Sequence, residues 1–197
     1  MAPSAFACRA ALPLLLAVPT IALAHPGHPL PGSTAYSFAA GLMHPLTGLD
    51  HLCAMVVLGV WSAMTTRRAW LAPLSFVLAL LAGALLGTAG MPMPVVEPMV
   101  AVSLLALGLL TAARARLSEP AGMAVAALFA VFHGHAHGTE LPESVSAALY
   151  FGGFLLATAT LHGAGIAGGF ALRGTHVWLA RILGGGVAFY GLALLAV

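Results

Sequence analysis

Charge is the scarcest commodity in this chain: Asp, Glu, Lys and Arg together make up 6% of its 197 residues, while 61% are hydrophobic. A soluble domain carries roughly 25% charge, so the surface of this protein is one that lipid, not water, solvates. Lysine is missing altogether. The basic residues are seven arginines, and the six beyond Arg9 face five acids. That balance offers no basic patch for nucleic acid and no polybasic run for anionic lipid. Without lysine there is no phosphate loop of the Lys-Ser/Thr type, which excludes ATP-driven pumping by this chain alone. Cysteine is limited to Cys8 and Cys53. Because Cys8 falls in a presumed leader, the mature chain has one thiol, no intramolecular disulfide and little basis for a thiolate metal centre.

The leader is the segment MAPSAFACRAALPLLLAVPTIALA, with one arginine, an apolar stretch from Ala10 to Ile21 and the small-residue pattern Ala22-Leu23-Ala24. These are the parts of a cleavable signal peptide. The competing reading, an uncleaved first span, suffers from a stretch short of the roughly 20 residues a bilayer requires and broken by Pro13 and Pro19. Residues 1–24 are expected to be removed, leaving His25 as the mature amino terminus. Residues 25–35 form a His/Pro/Gly-rich extracytoplasmic segment, in which His25 and His28 either catch metal or serve as a polar tether.

Residues 36–197 contain six apolar stretches, at about 36–64, 69–88, 95–112, 121–137, 145–170 and 176–197. Each is long enough to cross a bilayer, alone or with tilt. Backbone amides in lipid must be bonded within their own segment, so the expected fold is an all-α integral membrane protein, a six-transmembrane-helix bundle behind a signal peptide. Arg67, Arg68, Arg114, Arg116, Arg173 and Arg181 all fall at odd-numbered connections. The positive-inside rule makes that side cytoplasmic and both mature termini extracytoplasmic, in agreement with an exported amino terminus. Trp61, Trp70 and Trp178 fall at the same side, where indole rings favour the headgroup layer.

In so apolar a chain each ionisable residue is conspicuous, since burial at mid-bilayer costs at least about 2.5 kcal/mol. His25, His28, His44, Asp50, His51, Glu97, His133, His135, His137, Glu140 and Glu143 all map to the extracytoplasmic loops or half-spans. Glu119, His162 and His176 are the exceptions. One cluster is HPLTGLDH, His44 to His51, where two histidines seven apart share a helix face but stand about 10 Å apart along its axis. One ion reaches both only if the helix bends, and Pro45 and Gly48 make a broken helix a reasonable expectation. Asp50 adds negative charge. The other cluster is FHGHAHGTE, Phe132 to Glu140, in which His133 and His137 stand at i and i+4, the spacing by which one helix offers two imidazoles to one metal. Glu140 follows three residues on, while His135 points away toward the vestibule. The plain alternatives are interfacial histidines at a helix entry for the first cluster and interhelical hydrogen bonding for the second. Imidazole with carboxylate suits nickel, cobalt, zinc or copper(II) over magnesium and calcium. Glu97 lies among Met91, Met93 and Met99, either a soft outer site or apolar loop residues; His162 is either a later station or a bonded interhelical histidine.

The two motifs together resemble the HupE/UreJ family of hydrogenase and urease accessory proteins, regarded as nickel permeases with some members linked to cobalt. The likeness covers the whole chain: signal peptide, histidine at the mature start, six spans, His-x5-Asp-His in the first and Phe-His-Gly-x-Ala-His-Gly-x-Glu in the fourth. It implies a secondary permease of the inner membrane, not an enzyme, with no prosthetic group and with Ni2+, or next Co2+, as the ion moved for hydrogenase or urease maturation. Carried onto this sequence, the pattern points at His44, Asp50, His51, His133, His137 and Glu140, with Glu97 a weaker match and His135 at the variable position. Two other classes stay open at this point: a membrane chaperone or sensor that binds metal without moving it, and a haem-binding or metal-catalytic membrane protein.

Overall fold

The structure is a computed structural model that describes residues 34–174 and 176–196. The expected signal peptide at 1–24, together with His25 and His28, lies outside the described residues. Seven α-helices follow in order: α1 (Thr34–Thr47), α2 (Leu49–Thr65), α3 (Leu71–Thr88), α4 (Val96–Ala113), α5 (Glu119–Thr139), α6 (Ala147–Leu172) and α7 (Val177–Leu195). No strand occurs among the described residues.

Four helices, α3, α4, α6 and α7, are long and apolar enough to cross a membrane, and the pair α1 and α2 qualifies jointly as a fifth span bent by 76° at its break. Six were expected. The difference is α5, which has the length for a span at 21 residues but carries three histidines in its last two turns that lower its mean hydropathy. The large apolar side chains that face outward argue for lipid independently. Phe189 is 72% exposed and Ile182 63%, while Leu78 and Trp178 are also open. The chain is a membrane protein with its core turned inward and its apolar exterior left for acyl chains.

Small residues decide how the helices pair. In lipid the helices gain little from hydrophobic burial against each other, so close backbone approach has to supply the cohesion. Gly83 and Gly87 of α3 sit against the backbone of Val131 and His135 in α5, and Gly134 and Gly138 of α5 sit against Leu80 and Ala84 of α3. A side chain at any of these four would run into backbone. Gly59 and Gly165 bring α2 and α6 together in the same way, and Gly108 and Gly184 join α4 to α7. The first two pairs run parallel and the third antiparallel. Between them lies a sealed core of Met55, Leu58, Trp61, Phe76, Leu104 and Leu107.

The two ends of the bundle differ in kind. Arg67, Arg68, Arg114, Arg116 and Arg173 gather at the connections α2–α3, α4–α5 and α6–α7, hereafter the arginine end. There the Trp61 indole Nε1–H donates to the Ala115 carbonyl at 2.9 Å, and the Arg68 backbone N–H donates to Glu119 at 3.2 Å. Ser118 caps α5 by accepting from the Ala121 N–H, with Pro120 in the first turn where no intrahelical donor is needed. The opposite end holds the α1–α2 break, the α3–α4 and α5–α6 connections and five of the seven described imidazoles.

Candidate metal site

The break between α1 and α2 is built from HPLTGLDH. Pro45 has no N–H, so the last turn of α1 lacks a backbone donor there. Gly48 is extended, with φ −83° and ψ 108°, and a Cβ on it would press on the Asp50 carboxylate at 3.1 Å and the His51 ring at 3.3 Å. Glycine at this position lets the chain turn while both side chains pack beneath it. The result removes the 10 Å problem, because His44 and His51 flank the bend and both turn toward His137. Their ring centroids lie 4.6 and 4.0 Å from its ring.

His51 is oriented from one side. Asp50 accepts the His51 backbone N–H at 2.8 Å and stands 2.8 Å from the His51 Nδ1. A carboxylate accepts, so Nδ1 carries a hydrogen, and in the neutral ring Nε2 keeps its lone pair. That Nε2 is buried with no hydrogen-bond partner among the described residues. The arrangement is the carboxylate–histidine pairing that sets tautomer and raises ligand basicity in metal sites.

On α5, His133 and His137 share a face as their spacing predicts, and the rings of both lie against His51, at 4.7 and 4.0 Å. His133 is fully buried, its Nε2 2.7 Å from Ser103 Oγ in α4. Ser103 spends its own hydrogen on the Val100 carbonyl at 2.6 Å, so it accepts from the imidazole and leaves the lone pair on His133 Nδ1. His137 is 2% exposed, and neither of its ring nitrogens has a partner among the described residues. Two unbonded nitrogens on one buried ring carry the full desolvation cost, about 1–3 kcal/mol for each group, unless something is bound there.

His44, His137 and Glu140 each offer a ligand atom, and these atoms lie within 4.8 Å of one another, with His44 Nε2 3.7 Å from Glu140 Oε2. Ligands about 2.0–2.2 Å from a metal stand up to about 4 Å apart, so only a slight closure would bring all three onto one ion. Beside this group lies a cavity of about 680 Å³ lined by Asp50, His51, Glu97, Ala136 and Glu140, with Leu194 and Leu195 of α7 on its wall. Glu97, in the first turn of α4, thus faces the cavity and stands outside the three-residue group. His135 goes elsewhere: it is 5% exposed, and its Nε2 donates to the Met91 carbonyl at 2.7 Å, which ties α5 to the α3–α4 connection instead of lining open space.

Ser103 is the participant that sequence reasoning does not single out. Its only signal is that it is one of two hydroxyl residues in a helix that is apolar beyond Glu97 in its first turn. Six-coordinate haem is a poor fit to this geometry, since its two axial imidazoles must stand on opposite faces of a flat macrocycle. Here His133 and His137 lie on one helix face, their rings packed on His51. Imidazoles beside carboxylates are instead the donor set for a divalent ion of borderline softness.

Comparison with known proteins agrees in extent. A family described as HupE / UreJ protein matches residues 13–194. Protein HupE from Rhizobium leguminosarum bv. viciae is 42% identical over 184 residues, covering 91% of this chain and 93% of that protein. No solved structure matches. The chain belongs to the HupE/UreJ family.

Proposed function

We propose that the protein is a secondary permease that moves Ni2+, with Co2+ as the alternative cargo, into the cytoplasm to supply hydrogenase or urease maturation. It is an accessory transport protein and not an enzyme. In this reading residues 1–24 are a signal peptide and 25–35 an extracytoplasmic tether with His25 and His28, while 36–197 form six spans, the bent α1–α2 pair counting as one and α5 as another. The arginine end faces the cytoplasm, the histidine end and both mature termini face the extracytoplasmic side of the inner membrane, and the ion comes in from the histidine end.

One observation carries the reading: His137 sits where both motifs converge, buried, with both nitrogens unbonded among the described residues. The cavity beside it, lined by Asp50, Glu97 and Glu140, admits a hydrated cation and neutralises it. His44, His137 and Glu140 then replace water ligands, and His51 and His133 offer lone pairs further in. The core beneath, closed by Phe76, Leu58 and Trp61, corresponds to a state open at the histidine end and shut at the other. A membrane potential of about 100 mV, inside negative, contributes about 4.6 kcal/mol for a divalent ion at roughly 2.3 kcal/mol per charge, enough for accumulation well over a hundredfold.

The test is radioactive nickel entry into sealed vesicles holding the purified protein, with and without an imposed potential, and with excess cobalt, zinc or copper as competitors. Saturable entry that rises with potential is the expected result. Tight binding without entry would make the same histidines the site of a chaperone or sensor.

A further inference from the structure

From half-buried His44 inward the imidazoles touch in succession: His44 to His137 at 4.6 Å, His137 to His51 at 4.0 Å, His51 to His133 at 4.7 Å between ring centroids. The succession does not end at His133. Phe76 of α3, fully buried, has its ring centroid 5.7 Å from His133 and 5.1 Å from His162 of α6. A single aromatic ring thus touches both the cluster and a further imidazole lying deeper in the bundle.

His162 is 2% exposed. Its Nδ1 lies 2.8 Å from the Thr158 carbonyl one turn back, and since a carbonyl only accepts, Nδ1 carries the hydrogen. In the neutral ring Nε2 then holds the lone pair, and that atom is buried with no partner among the described residues. A histidine that joins helices spends at least one nitrogen outside its own helix, as His135 does on the Met91 carbonyl. This one spends the first within its own helix and leaves the second bare, next to the ring that adjoins the metal cluster.

We propose that His162 is an inner transfer ligand, which receives a dehydrated divalent transition-metal cation from His133 past Phe76. The proposal rests on the permease reading above. Phe76 is fully buried and seals the way against water, and a cation that crossed over its ring face would be attracted by the ring quadrupole. A lone imidazole holds an ion weakly, which is what a station that must release its cargo toward the arginine end requires.

The experiment compares wild type with His162→Ala and His162→Gln; the glutamine retains an N–H for the Thr158 carbonyl but is a poor ligand for nickel. Initial radioactive nickel entry into vesicles is measured alongside nickel binding to the detergent-solubilised protein. Both variants are expected to bind within twofold of wild type and to import at less than a tenth of its rate. Import above a tenth of the wild-type rate in either variant overturns the proposal, because packing or the Thr158 hydrogen bond would then account for the histidine. Loss of binding together with import also overturns it, by making His162 a support of the cluster. A wild type that binds but never imports removes the permease reading and this proposal with it, a failure seen before any variant is compared.

Discussion

The two ends of the bundle spend their polar atoms in opposite ways. At the arginine end the buried and half-buried polar groups are consumed by structure: the Trp61 indole by the Ala115 carbonyl, the Thr65 and Thr66 hydroxyls by carbonyls of their own helix, the Glu119 carboxylate by the Arg68 N–H. Arg114 Nε is the exception among the described residues. At the histidine end the imidazoles are as deeply buried, yet His51, His133, His135 and His137 each keep at least one ring nitrogen without a partner. Burial with bonding is what folding selects, whereas burial without bonding costs stability and persists where something else is gained. Substitutions at the arginine end should therefore cost stability and spare metal handling, and those at the histidine end the reverse.

The sharpest way to break that contrast is His137→Leu. It removes two unbonded nitrogens and keeps an apolar volume against Phe154, so the metal-free protein should melt in detergent at least as high as wild type. Nickel affinity should fall by two orders of magnitude or more, read by equilibrium binding of radioactive nickel. A variant that melts lower and still binds would mean that His137 is a packing residue. Asp50→Asn comes next. The amide oxygen still accepts from His51 Nδ1 but without charge, and loss of such a partner to a ligating histidine typically costs about 10–100-fold in affinity. Ser103→Ala removes the acceptor that holds His133 Nε2–H and should weaken nickel binding by up to about tenfold, at the low end of the same range because the lost partner is neutral.

Much of this contrast was legible in the sequence, and the part that was not has a physical cause. The i, i+4 spacing of His133 and His137 placed both on one face, and Pro45 with Gly48 pointed to a bend between His44 and His51. The direction of that bend was not legible, since it depends on where α5 and α6 stand. Nor was the bonding state of each imidazole, because the partner comes from another helix: Ser103 lies 30 residues from His133, and the Met91 carbonyl lies 44 residues from His135. His135 looked like a vestibule residue for that reason. Hydropathy also treats α5 ambiguously, as the histidines that carry the chemistry are what make the helix read as too polar to cross.

The smallest expected effect tests the other half of the comparison. Trp61→Phe at the arginine end keeps an aromatic ring in the core beneath Gly122 and deletes one hydrogen bond, from the indole to the Ala115 carbonyl at 2.9 Å. The bond links α2 to the α4–α5 connection, 54 residues away in sequence, so its loss loosens that end of the bundle. A net hydrogen bond is worth about 0.5–1.5 kcal/mol, and the carbonyl left behind stands at a helix connection where headgroups and water can reach it. A modest drop in melting temperature is expected, with nickel affinity unchanged within error. Affinity that falls along with the melting temperature would mean that the two ends are coupled, and that the imidazole line responds to how tightly the far end is held.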